Sequence, residues 1–157
     1  MGAPGANWYV TARVASITSE YAEAVAAFLR EKAQKNQIPP VYVVVLGLHS
    51  DLLCAIRSGN AAGRHFMEAY HMALTVLRWE IDSTRGILHG ADVWPGERIV
   101  SASGTDPSFT TMGGGVRMYQ LRPYDSQPCG AIGIAGSSSY QNHMLAASWR
   151  EYRPDSE

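Results

Sequence analysis

Charge is scarce in this chain. Asp, Glu, Lys and Arg make up 17% of its 157 residues, against roughly a quarter in an ordinary soluble domain. The 13 basic and 14 acidic side chains nearly cancel, leaving a net charge of -1. No basic run is present, so the electrostatic footprint of a nucleic-acid binder is missing. No apolar run approaches the roughly 20 residues that span a bilayer, so no membrane partner is expected. Residues Met1 to Asn7 are small and polar and lack the charged-then-apolar order of a signal peptide, which makes the cytoplasm the expected location. Cysteine is nearly absent as well. Cys54 and Cys129 are the only two, and neither belongs to a CxxC pair, so no metal is expected there. Each stands in an apolar strand-like run, where a free thiol packs as a small hydrophobe. No GxSxG nucleophile elbow occurs, and the glycines form neither a Rossmann nor a P-loop pattern. The shortage of charge has two readings. Either other subunits cover part of the surface, as in a homo-oligomer, or an Ala/Gly-rich chain is short of charge throughout.

What is present suits one folded unit. Hydrophobic residues make up 46% of the chain, enough for a core without disulfide staples. We read residues 1–157 as one domain, with 1–16 as an N-terminal strand or arm. Trp8 to Val14 alternates apolar and polar, which is strand periodicity. Thr18 caps a helix over about residues 18 to 36, with Ile17, Tyr21, Val25, Phe28 and Leu29 at helical spacing and Pro39-Pro40 as its stop. Val41 to Leu46 is a β-branched run suited to a strand buried on both faces. Gly47 to Ser50 turns the chain into a second strand, Asp51 to Arg57, making a hairpin. Ala61 to Glu80 forms a second helix with Phe66, Ala69, Tyr70, Ala73, Leu74 and Leu77 as its apolar stripe. Residues 82 to 112 form an irregular excursion, a class of segment often tied to function. Strands over Val116 to Leu121 and Cys129 to Ala135 follow. A last helix spans about 139 to 152, with Met144, Leu145 and Trp149 inward. The class is α+β, an antiparallel sheet of about five strands with helices packed on it.

Three local motifs resemble the GlcG/HbpS family of haem-degrading-domain-like proteins. The first is ITSEYAEA at 17–24, followed by VYVVVLG at 41–47. The second is LLCAIRSGNA at 52–61, similar to the family's hydrophobic strand, Arg, small turn and Ala before its second helix. The third is GGGV at 113–116 and then GAIGIAG at 130–136, where family members carry Gly-Gly-x-Pro and a GAIGVSG strand. Together they cover about residues 17–150. The polar positions depart from the pattern. Gly47 stands for an Asp, His49-Ser50 for Gly-Gly, Met72 for a Lys, Asn142 for an acid and Arg117 for the Pro. The segment between the glycines and GAIGIAG is longer than in the family. The glycines and core apolars remain, which describes a kept scaffold carrying a changed site. The resemblance implies a profilin-like fold, often in higher oligomers. Some relatives bind haem or act in its degradation, which makes haem the first cofactor candidate. Others sit beside corrinoid or glycolate enzymes.

Several residues offer chemistry. His49 and Asp51 flank the hairpin turn, where such a pair serves as acid and base or simply as a surface turn. His65, Glu68 and His71 stand at i, i+3 and i+6 on the second helix. The two His point about 120° apart, a poor arrangement for one shared metal. They remain candidates for a general base or an axial haem ligand, against a solvated Glu–His face. Arg57 can hold a carboxylate bidentately or form a salt bridge. Gly114, Gly115, Gly133 and Gly136 either let backbone approach an anionic ligand or allow tight turns and close sheet packing. His143 caps the last helix or faces a pocket. His89 and Asp92 lie beside Trp94 in the irregular segment as a candidate lid, and Trp94, with Trp79, Tyr119, Tyr140 and Trp149, is a candidate to line a flat pocket or to fill the core. The favoured reading is a small-molecule-binding domain for haem or another flat apolar ligand. The alternative is a cofactor-free acid–base enzyme, a cyclase or isomerase of a specialised-metabolite pathway. A third is a non-catalytic accessory subunit.

Overall fold

The computed structural model describes residues 16–84, 110, 112–120 and 127–153. Trp8 to Val14, His89, Asp92 and Trp94 lie outside them. Helix α1, Ser19–Lys35, begins where the Thr18 hydroxyl accepts a hydrogen bond from the Tyr21 N–H at 3.1 Å. Glu20 in its first turn and Lys32 and Lys35 in its last suit the helix dipole. Strands β1 (Tyr42–Gly47) and β2 (Leu52–Arg57) pair antiparallel. Their turn needs Ser50 in the left-handed region at φ 69°. Helix α2 spans Arg64–Arg78, β3 spans Gly115–Tyr119 and β4 spans Pro128–Ala135. Helix α3, Ser139–Ala147, is capped by the Ser138 hydroxyl and tightens into a 3-10 turn over Ser148–Glu151.

The four strands form one antiparallel sheet in the order β2-β1-β4-β3. Its two faces carry separate apolar layers. On one, Val43, Val45, Met118, Ile132 and Ile134 pack against Tyr21, Val25 and Leu29 of α1 and Leu145 and Trp149 beyond. On the other, Val44, Leu46, Ala131 and Ala135 meet Ala69, Met72, Ala73 and Val76 of α2. β1 contributes to both layers because its residues alternate between faces, which is the two-sided burial its sequence implies.

Glycines set how closely α2 lies on the sheet. Gly115 and Gly133 are direct cross-strand partners. A Cβ on Gly133 would stand 1.8 Å from the Ala69 carbonyl oxygen, and one on Gly115 would stand 2.5 Å from the Met72 carbonyl oxygen. The two glycines thus form a bare platform on which the helix backbone rests.

The outer edge of β3 is not left open. Ser83 bridges antiparallel to Val116, the Arg117 N–H donates to the Asp82 carbonyl at 2.9 Å, and the Thr84 N–H donates to the Gly115 carbonyl at 3.0 Å. The fully buried Thr84 hydroxyl accepts from the Gly115 N–H at 3.0 Å and donates to the Met112 carbonyl at 2.5 Å. Sheet edges invite unwanted pairing, and a covering segment is one common remedy.

Some expectations need correction. The described residues hold four of the about five strands expected, the remaining one, Trp8 to Val14, lying outside them, and the Ser83–Val116 bridge adds a partial further rung. Met144 was expected inward but is 49% exposed, because α3 is short and turns only Asn142, Leu145 and Ala146 to the core. The second helix begins three residues later than Ala61 and ends before Glu80, which takes φ 53°.

Candidate functional site

The covered edge of β3 and the start of the final 3-10 turn enclose a cleft of about 470 Å³. That volume lies within the range of small-molecule sites. Its walls come from three places. Asp82 and Ser83 arrive from the covering segment, Arg117 and Tyr119 from β3, and His143, Trp149 and Arg150 from α3 and its extension. Strand alternation explains why Arg117 and Tyr119 go together, since residues i and i+2 share a face.

The polar wall is a connected cluster. Arg117 donates from Nε at 3.0 Å and from Nη2 at 2.7 Å to the Tyr119 hydroxyl. Its guanidinium carbon also stands 5.3 Å from the Tyr119 ring centroid. The Tyr119 hydroxyl donates in turn to the Asp82 carboxylate, and Arg117 Nη2 reaches the same carboxylate oxygen at 3.4 Å. Burial first, and then the hydrogen bond to Asp82, push the Tyr119 phenol above its usual pKa; Arg117 opposes this. The apolar wall is Val116, Ala147 and Trp149. The Arg150 guanidinium lies 5.3 Å from the Trp149 ring. Trp149 is buried, and its indole N–H finds no hydrogen-bond acceptor among the described residues.

The residues singled out in the sequence scatter. His143 reaches the cleft. His49 and Asp51 are both exposed at the hairpin turn, and no hydrogen bond or ion pair joins their side chains among the described residues. The Asp51 carboxylate instead lies over Gly47, where a Cβ would meet it. His65 Nδ1 and Glu68 Oε1 do meet, at 2.5 Å, on the first turns of α2. His71 is half-buried a turn further on and joins neither, consistent with its angular offset. Beside them Phe66 stacks on Tyr70 with centroids 6.1 Å apart. Arg57 Nη1 donates to the Ala61 carbonyl at 3.3 Å, which closes the turn into α2. The four glycines make room for the chain itself. Beyond the platform pair, a Cβ at Gly114 would meet the Ile134 carbonyl oxygen at 2.2 Å, and one at Gly136 the Pro40 carbonyl oxygen at 2.4 Å. At these positions the glycines serve packing.

Asp82 and Arg150 went unnoticed in the sequence, and Arg117 was noted only as the residue standing where the family has Pro. The Arg117–Tyr119 spacing was a usable signal. Asp82 gave none, because it joins β3 from far along the chain through an isolated bridge.

With this geometry in hand, comparison with known proteins decides the kinship. The sequence profile of the family described as haem degrading protein HbpS-like matches residues 17–150. The chain belongs to the HbpS-like family. Solved structures of that fold superpose closely. Klebsiella pneumoniae protein ORFY aligns with a TM-score of 0.72 at 21% identity, over 86% of this chain and 88% of that one. A double mutant of Streptomyces reticuli HbpS aligns at 0.68 and 21% identity, over 87% and 86%. A PduOC:heme complex aligns at 0.68 and 20% identity, over 87% and 94%. Comparison with curated proteins gave no match. The antiparallel sheet with helices on both faces is therefore the HbpS-like fold. Among the described residues no helix is long and apolar enough to cross a membrane, and no group of three or more His, Cys, Asp or Glu is placed to hold a metal ion.

Proposed function

We propose that this HbpS-like chain binds a flat, largely apolar small molecule in the β3-edge cleft, with haem as the first candidate. The observation that carries the reading is the convergence of His143, Trp149, Arg117 and Arg150 on one cleft of about 470 Å³. The donor set fits a haem. An imidazole is a common axial ligand of haem iron, and guanidinium groups pair with carboxylates. Val116 and Ala147 supply the apolar wall against which a flat ring system loses water, with the almost fully buried Trp149 adding only its small exposed part. When bound, haem supplies redox and oxygen chemistry of its own, and the protein contributes binding, orientation and electrostatics. Family membership and a structural neighbour solved with heme support this choice of ligand. The low charge content supports assembly into a homo-oligomer, with the covered faces accounting for the shortage.

Hemin titration tests the reading. Purified protein should give a shifted Soret band that saturates at one equivalent per chain. His143→Ala should move or broaden that band and weaken binding. An unchanged hemin spectrum across the titration sinks the proposal.

The His65–Glu68 contact favours a second reading, an acid–base enzyme working from the α2 surface. A carboxylate in hydrogen-bond reach orients an imidazole for proton transfer. Turnover of a pathway intermediate that survives His65→Ala and Glu68→Gln unchanged would remove these residues from any such role.

A further inference from the structure

We infer that the Arg117–Tyr119 pair is a carboxylate subsite of the cleft, held in the free protein by Asp82 and surrendered to a ligand carboxylate on binding. The inference rests on the cleft reading above and names the ligand class: planar molecules bearing carboxylates.

Three features of the cluster lead there. The first is rigidity on the donor side. Arg117 is only 16% exposed in its side chain, its two guanidinium donors converge on one phenol oxygen, and its guanidinium carbon stands 5.3 Å from the Tyr119 ring centroid. A donor set fixed in advance loses little entropy when it receives an anion. The second is looseness on the acceptor side. The Asp82 carboxylate is 57% exposed and reaches Arg117 only at 3.4 Å. Its backbone is held to β3 by the segment's few rungs, but the side chain has solvent to turn into. An exposed ion pair of this kind contributes at most about 1 kcal/mol, and the Tyr119–Asp82 hydrogen bond that must also be given up is replaced by one to the ligand carboxylate. The third is charge. The cleft lining carries two guanidinium groups, Arg117 and Arg150, against the single carboxylate of Asp82. It is a positive site on a chain of net charge -1. Asp82 thus stands where a ligand acid would stand, accepting from the same Tyr119 hydroxyl and the same Arg117 Nη2. On exchange, Tyr119 and Arg117 donate to the ligand carboxylate, Asp82 turns outward, and Arg150 is placed for a second acid group.

Protoporphyrin IX, which carries two carboxylates and no iron, and its dimethyl ester provide the probe. Titrations followed by porphyrin absorbance should show the free acid binding roughly 10-fold or more tightly than the ester. Asp82→Asn should tighten the free acid roughly 2- to 5-fold and leave the ester unchanged. Arg117→Gln should collapse the preference for the acid. Should that variant melt early, Arg150→Gln, at an exposed position of the 3-10 turn, should reduce the preference on its own. Equal affinity for acid and ester overturns the inference while leaving a flat-ligand cleft intact. So does an Asp82→Asn variant that binds the acid no better than wild type. If neither porphyrin binds, the proposed ligand class fails, and the subsite is read separately with isophthalate. Shifts of the Tyr119 ring signals in NMR spectra, absent from Arg117→Gln, then support the subsite, and no shift overturns it.

Discussion

Gly133→Ala should be among the most damaging single-methyl additions in this protein. The added Cβ would stand 1.8 Å from the Ala69 carbonyl oxygen, 2.7 Å from the Ala69 carbonyl carbon and 3.1 Å from the Ala73 nitrogen. Ordinary contact is about 3.5 Å, so the helix must retreat by more than about 1 Å at this point. No rotamer change relieves the clash, since all three neighbours are backbone. Lifting α2 loosens the layer of Val44, Leu46, Ala73, Val76 and Ala131 around it. Overpacking costs about 1–3 kcal/mol, and a backbone obstacle argues for about 3 kcal/mol. For a chain of this size that lowers Tm by about 6–12 °C. Thermal melting by circular dichroism measures it. Gly63→Ala is the control, because nothing lies within 4 Å of its Cβ position and its φ of -58° suits any residue. It should leave Tm within about 2 °C or raise it slightly. If Gly133→Ala melts like the Gly63 variant, the helix does not rest on the glycine platform and the packing account is wrong.

Further outcomes are open to measurement. Thr18→Ala removes the hydroxyl that caps α1 and should cost about 1 kcal/mol in urea denaturation; no change in midpoint would show that the cap is replaced. Asn142 is 2% exposed and both accepts from the Ser137 N–H and donates to the Ser137 carbonyl. Asn142→Leu leaves both backbone groups without that partner and should cost about 1–3 kcal/mol, a figure contradicted by wild-type stability. Burial pushes the Cys129 thiol up to about 12, so at about pH 8 almost no thiolate forms and a disulfide reagent should leave it unmodified until urea is added. Rapid native labelling of Cys129 would contradict its burial. Tyr119 has its phenol pKa raised above 10.0 in the folded chain. Its contribution to stability is therefore full below the ordinary phenol pKa and is lost as pH climbs through the raised value. The stability gap between wild type and Tyr119→Phe should narrow from about pH 8 to about pH 11; a widening gap would reverse the assigned sign.

Periodicity and turn chemistry made most of the scaffold legible in the sequence. Val41 to Leu46 reads as a two-faced strand because β-branched residues run without a polar break, and β1 is buried on both sides. Thr18 reads as a cap, and its hydroxyl accepts the expected backbone hydrogen bond. The GGGV and GAIGIAG segments marked the kinship, yet their physical task escaped a local reading. Whether a glycine admits a ligand or a helix depends on what lies above it, and the partner residues Ala69 and Met72 are more than forty positions away from them. The cleft was harder still. His143 was singled out as a cap or pocket residue, but Asp82 reaches Tyr119 across 37 positions through a bridge with no sequence signature. Met144 failed for a simpler reason. Helical spacing alone does not say which side of a nine-residue helix is covered.

The Thr84 hydroxyl joins the point where the chain leaves the sheet to the point where it comes back, touching both Met112 and Gly115. Asp82 and Thr84 hold β3 on one side while β4 holds it on the other, so the register of the strand is fixed twice. Because one hydroxyl carries two of those ties, Thr84 is the position where the loss of a single oxygen would loosen the whole edge.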